Sequence, residues 1–200
     1  KEIGFSNISL SHSVSPKIKL VDRGQTASVE AYLNPIIQKY VKEFRSKFQN
    51  EAPPMWFMQS DGGLVNADHF SGSRSIYSGP AGGVVGYALA GKNRYPKKPL
   101  IGFDMGGTST DVSRFDGEFE WMDESEISAV HLQTSHLKIK TIAAGGGSRL
   151  YFKNGLFVVG PDSAGADPGP VCYGKDGYAS LTDANLILGR LLPDYFPNIF

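Results

Sequence analysis

The 200-residue chain has one cysteine, Cys172, so an internal disulfide is excluded and a reducing compartment, the cytoplasm, is the expectation. It has no charge of one sign to spare. Twenty Lys and Arg balance twenty Asp and Glu, so no basic surplus points to nucleic acid or an anionic membrane surface. No apolar run approaches the ~18 residues of a membrane-spanning helix, and nothing near the start resembles a signal peptide. No Lys follows Gly106-Gly107 in GxxxxGK[ST] spacing, and residue 1 is Lys rather than Met. What the chain does have is glycine, 24 residues gathered in clusters, which suits close backbone approaches better than a flexible linker. At this length it can hold one full core or two small lobes.

The richest cluster lies in LIGFDMGGTSTDVSRFDGEFEWM, residues 100–122. Ile101 and Phe103 alternate into Asp104, then come Gly106-Gly107, the hydroxyl residues Thr108, Ser109 and Thr110, and Asp111. A second alternation through Val112 and Phe115 runs into Asp116-Gly117, a dipeptide suited to a tight hairpin turn, and a third short run covers 119–122. The pattern predicts a three-strand antiparallel meander whose first turn is a glycine–hydroxyl loop. Two glycines allow positive φ, so successive N–H groups can face one anion, and the hydroxyls add donors that rotate to suit phosphate oxygens. Asp104, at the strand end, can hold hydrated magnesium or orient an attacking water. The alternative is a tight turn in which Asp104 only stabilises backbone.

Elsewhere, residues 8–14 alternate apolar with serine and predict a half-buried strand with His12 on its apolar side. Helical spacing from about 28 to 48 predicts a core helix, kinked or started by Pro35. The apolar run 55–58 predicts a buried parallel strand ending at Asp61-Gly62-Gly63, with Asp61 either a site residue or an Asx-type turn. Gly79-Pro80-Ala81-Gly82-Gly83 reads as a glycine loop opening a helix, serving phosphate or close packing. The polar stretch 91–99 is the expected boundary between one lobe, 1–96, and a second, 97–200. His131 and His136 are expected at the surface. A short strand at 138–142 enters Gly145-Gly146-Gly147-Ser148, whose backbone could lie flat against a planar or anionic ligand. A hairpin turning at Asn154-Gly155 follows, which disfavours a dinucleotide fold because that requires a helix there. The stretch 161–170 reads as a proline-rich loop, and a final helix capped by Thr182 or Asp183 carries Leu186, Ile187, Leu191 and Leu192.

FMQSDGGL (57–64), SGPAGGVVGY (78–87), IGFDMGGTSTDVS (101–113), AAGGGSRL (143–150), VGPDSAGADPGPVCYG (159–174) and LTDANLILGRL (181–191) together resemble the hydantoinase A/5-oxoprolinase family, most of all its eukaryotic-type branch. The resemblance implies an α/β fold of the actin/Hsp70/sugar-kinase type, with ribonuclease-H-like lobes and nucleotide between them. It also implies ATP-dependent opening of 5-oxo-L-proline to L-glutamate, with ATP and Mg2+ required. Asp104 would orient magnesium or a nucleophile, and Asp61 would be a second catalytic residue. Gly106, Gly107, Thr108, Ser109 and Thr110 would hold phosphate, with Gly82 and Gly83 beside them. Gly145, Gly146, Gly147 and Ser148 would pack on the adenosine portion.

Lys138 and Lys140 depart from the family pattern, which has an acidic residue and Asn or His there. The family's phosphate hairpin occurs twice and this chain carries it once, so an internal fragment of a longer enzyme, inactive by itself, is expected. Expected partners are a small-molecule substrate (5-oxo-L-proline or a hydantoin) and the remainder of the polypeptide or a hydantoinase B-like subunit, with the parent a homodimer. Three functions stay open: a 5-oxoprolinase, a sibling acting on hydantoins or carboxylating ketones, and a nucleotide-driven conformational module.

Overall fold

The computed structural model describes residues 3–48 and 53–195. The chain divides into two compact units, residues 1–102 with 114–139, and residues 103–113 with 140–200. The chain thus crosses between units more often than a single linker near residue 96 implies, and the assignment of 1–96 and 97–200 to two lobes stays a proposal.

The first unit opens with a single turn, α1 (Ser11–Val14), where serine alternation predicts a strand. A strand needs a partner ladder, and here the backbone closes locally instead, Val14 N–H on Leu10 C=O at 3.0 Å and Ser15 N–H on Ser11 C=O at 2.9 Å. His12 is consequently exposed rather than packed in a core. Helix α2 (Leu20–Ser46) starts well before the expected residue 28 and runs through Pro35. Proline there removes one backbone donor, and burial of Thr26, Ala27, Glu30 and Val41 holds the helix against that loss. Its Val41 packs with Ala67 and Phe70, joined by Ile37, Met55, Phe57 and Val65.

That cluster sits on a hairpin of β1 (Trp56–Met58) and β2 (Leu64–Asn66), paired antiparallel from Trp56↔Asn66 to Met58↔Leu64. The expected parallel strand is therefore one arm of a hairpin, because the Asp61-Gly62-Gly63 turn, with Gly62 at φ +82°, folds the chain straight back. A short α3 (Gly72–Ser75) leads to α4 (Ser78–Arg94), whose Ala81 and Val84 pack with Leu137.

Three strands, β3 (Leu100–Met105), β4 (Thr110–Phe115) and, later in the chain, residues 139–142, form a sheet with β4 in the middle. The meander expected over 100–122 is therefore only half realised. The run after Asp116-Gly117 makes one bridge, Phe115↔Phe119, and then β5 (Trp121–Met122) leaves for another partner. Next come β6 (Ser125–Ile127), β7 (Val130–Leu132), β8 (His136–Leu137) and β9 (Ile139–Ile142). Strands β6 and β7 pair as a hairpin, β5 pairs with β8, and β9 takes the place beside β4. His136 is buried, 4.9 Å from the Tyr77 ring and stacked on it, with Nδ1 3.0 Å from Thr134 C=O; only His131 is exposed as expected.

The second unit contains the hairpin β10 (Ser148–Lys153) and β11 (Leu156–Ser163), which turns at Asn154 and Gly155 with φ of 53° and 80°, as that dipeptide predicts. Strand β11 continues into the proline-rich stretch as far as Ser163. Helix α5 (Leu181–Ile187) is capped by Ser180, not Thr182. Asp183 closes the capping box three residues on, and Leu191 and Leu192 lie past the helix end.

Candidate functional site

The turn between β3 and β4 is closed by Gly106 N–H on Ser109 C=O at 2.9 Å. At its mouth Asp104 is exposed, and its carboxylate makes no hydrogen bond or ion pair among the described residues. Asp104 therefore braces the turn through no side-chain bond among the described residues. Thr108 and Ser109 likewise keep their hydroxyls unpaired among the described residues. Thr110 does not: it is buried and its Oγ1 donates to Ala144 C=O at 2.6 Å. Asp111 is also engaged, accepting from Thr141 Oγ1 at 2.6 Å. A turn offering an unpaired carboxylate and two spare hydroxyls can bind a polyanion with its cation.

Neither Gly106 nor Gly107 has positive φ, so torsional freedom is not what glycine supplies here. Gly107 has nothing within 4 Å of the position a Cβ would take. Neither positive φ nor packing among the described residues requires glycine at 107. Replacing Gly107 with Ala in the full-length protein should leave stability unchanged or raised by up to ~1 kcal/mol, while weakening nucleotide binding by about tenfold, ~1.4 kcal/mol. Thermal melts beside calorimetric titration check it; unchanged binding would make Gly107 an ordinary turn residue.

The 145–148 loop does not lie open to a ligand as its sequence suggests. Gly146 N–H donates to Gly106 C=O at 2.9 Å and Gly147 N–H to Gly107 C=O at 2.7 Å. Gly145 N–H donates to Ser148 Oγ at 2.9 Å, and Ser148 is buried. All three glycine donors are spent on the protein. A Cβ on Gly145 would fall 2.6 Å from Gly107 C and O, so glycine is needed for contact between two backbones. The loop is the buttress of the β3–β4 hairpin. Thr182, with no local signal of such a role, holds the buttress from behind through its N–H and Oγ1 on Gly146 C=O at 2.8 and 2.9 Å.

In the first unit Asp61 does make the Asx-type turn, Oδ1 accepting Gly63 N–H at 2.8 Å, with its other oxygen spare. Gly82 and Gly83 lie inside α4, beyond Ala81, whose N–H already bonds Tyr77 C=O at 2.9 Å. Their donors belong to the helix ladder, so the free-donor reading of that segment is not met at those two positions.

A model of the family described as Hydantoinase/oxoprolinase matches residues 23–198. This chain belongs to the hydantoinase/oxoprolinase family. The 5-oxoprolinase of Dictyostelium discoideum is 56% identical across all of this chain, which spans 17% of that protein. Among solved structures, a nucleotide-free acetone carboxylase matches 92% of the chain at TM-score 0.76 and 26% identity, over 27% of its own length. The ATP-dependent caprolactamase of Pseudomonas jessenii matches 92% at TM-score 0.69 and 34% identity, over 28% of its length. The mixed α/β architecture and these neighbours bear out the actin-like ATPase fold class.

Of the two lysines that depart from the hydantoinase/oxoprolinase pattern, Lys138 is held on Glu120 at 3.0 Å. Hydrogen bonds from Lys138 and then Arg114 hold Glu120 below the usual carboxylate range. Cys172 is a free, partly buried thiol. Burial first, and then Asp183 beside it, push its thiol up to about 11, so the thiolate is scarce near neutrality. Among the described residues no helix is long and apolar enough to cross a membrane.

Proposed function

We propose that this chain is the hairpin-bearing segment of an ATP-dependent 5-oxoprolinase, an enzyme that opens 5-oxo-L-proline to L-glutamate with cleavage of ATP. The observation that carries the reading is the β3–β4 turn, where Asp104, Thr108 and Ser109 keep their polar side-chain atoms unspent while everything behind them is bonded. It is supported by the 56% identity to a protein named 5-oxoprolinase and by the ATP dependence of both structural relatives, an acetone carboxylase and a caprolactamase.

ATP supplies a phosphoryl group that makes the lactam oxygen a leaving group, which an unactivated amide lacks. Thr108 and Ser109 would donate to phosphate oxygens and Asp104 would accept a hydrated Mg2+. Among the described residues no cluster of three acidic, His or Cys side chains could cage a metal. One carboxylate plus phosphate and water is the coordination magnesium accepts, so the residues fit that mode. Thr110, Gly145, Gly146, Gly147 and Ser148 act behind the site, fixing the hairpin; Gly82 and Gly83, inside α4, have no donor to offer.

A sibling activity on hydantoins or another cyclic amide is the second reading, favoured by the caprolactamase match at 34% identity. A relative named Caprolactamase subunit alpha, 36% identical, favours a partner subunit of hydantoinase B type where the remainder is not on the same polypeptide. A homodimeric parent in the cytoplasm completes the proposal. Assay of the full-length protein with MgATP and oxoproline, hydantoin or neither separates the readings. Oxoproline-dependent ADP and glutamate release is expected. ATP hydrolysis indifferent to either small molecule would return the chain to a conformational module.

A further inference from the structure

The two peptide groups at the tip of the β3–β4 turn are each held by their carbonyl. Gly106 C=O accepts Gly146 N–H at 2.9 Å, and Gly107 C=O accepts Gly147 N–H at 2.7 Å. Both peptides are trans, and a trans peptide is planar with its N–H opposite its C=O. Pinning the two oxygens to the 145–148 loop therefore turns the N–H groups of Gly107 and Thr108 away from that loop. Neither N–H donates to any group among the described residues, and both residues are exposed. Successive free N–H groups can hold an anion, while the carbonyls that would repel it are kept behind the turn.

The pin has an anchor of its own. Gly146 C=O accepts both Thr182 N–H at 2.8 Å and Thr182 Oγ1 at 2.9 Å. Thr182 stands in the first turn of α5, where N–H groups have no partner inside the helix, so its donor is available to an outside carbonyl. The start of α5 is fixed in turn. Ser180, fully buried, has its N–H and Oγ on Asp183 at 2.8 and 2.9 Å, and Asp183 also accepts Cys172 N–H at 2.7 Å. An unbroken series of bonds thus runs from α5 through Gly146 to the turn, all of it inside the second unit.

We propose that Thr182 is a positioning residue for the nucleotide: by holding Gly146 it fixes the turn so that the Gly107 and Thr108 N–H groups face the phosphates. That role rests on the ATP reading for its ligand, and on the bonds within the second unit for its geometry. Without the Thr182 hydroxyl, Gly146 C=O keeps one of its two bonds, and the loop leaves the pinning orientation more often. A turn that is competent for only part of the time binds more weakly by that fraction, while the protein around it stays folded.

The test is calorimetric titration of the full-length protein with MgATP, wild type beside Thr182→Val, Thr182→Ala and Thr182→Ser, with a thermal melt of each. Thr182→Val and Thr182→Ala should weaken MgATP binding about fivefold, the worth of one hydrogen bond. Thr182→Ser keeps the hydroxyl and should bind as wild type does. Tyr151→Phe is the control, because it removes a bond of the same kind in the same unit, the Tyr151 hydroxyl on Gly160 C=O at 3.0 Å, away from the turn. Its MgATP affinity should equal that of wild type. Unchanged affinity in both Thr182→Val and Thr182→Ala overturns the assignment, and so does an equal loss in Thr182→Ser or in Tyr151→Phe. Wild type that binds no MgATP defeats the nucleotide reading and the positioning role together. Should the Val and Ala variants not fold, hydrogen exchange of the wild type decides: bound MgATP must protect the amides of Gly107 and Thr108, and unchanged exchange there overturns the assignment.

Discussion

Asp104→Asn in the full-length protein is expected to lower turnover by about 100-fold or more, because a carboxylate that serves a metal or nucleophile contributes several kcal/mol, mostly at the transition state. The fold should be untouched. Asp104 is exposed and braces nothing among the described residues, so exchanging one oxygen for an amide breaks no bond of the native structure. The two outcomes separate cleanly in one experiment, steady-state kinetics beside a thermal melt. Turnover near that of wild type would remove Asp104 from the chemistry, and a lowered melting temperature would mean that it holds structure after all.

Gly145→Ala should do the reverse and damage structure first. The added Cβ meets Gly107 C and O at 2.6 Å and Thr108 N at 2.7 Å, all of them backbone, where no side chain can swing aside. Overpacking of this kind costs ~1–3 kcal/mol. Here the displaced backbone is the phosphate-type turn itself, tied on by the 146–106 and 147–107 hydrogen bonds. Stability and nucleotide affinity should therefore fall together in Gly145→Ala, whereas Gly107→Ala should lower affinity alone. A wild-type melting temperature for Gly145→Ala would show that the two loops are not in the contact described.

The pattern of success along the chain has a physical pattern of its own. The Asn154-Gly155 hairpin was legible because both residues of a type I′ turn need positive φ and the register follows from the turn. The β3–β4 turn was legible for a related reason, since glycine and hydroxyl residues between two alternating runs leave few other conformations. Residues 8–14 misled because alternation in a serine-rich stretch is a weak signal until a partner strand exists, and none pairs with it. The 119–122 run misled in the same way, as the choice between β4 and β8 as neighbour is made by distant chain.

Chemistry-bearing residue types and their order along the chain are properties of the sequence alone, and so are the glycine clusters, the charge balance and the family. Which polar atoms are spent and which are spare is not, because a hydrogen bond is a relation between residues that may stand 30 or 100 positions apart. Thr108 and Thr110 read alike in sequence, yet only Thr110 is consumed, by Ala144 C=O 34 residues on. The glycines at 145–147 read as a ligand surface until the hairpin is found lying on them. Gln59 and Gln133 carry no signal in sequence, yet folding buries the side-chain oxygen of each without a partner among the described residues. Burial makes that difference: exposed, an unpaired oxygen is satisfied by solvent, and only inside the fold does it become a cost.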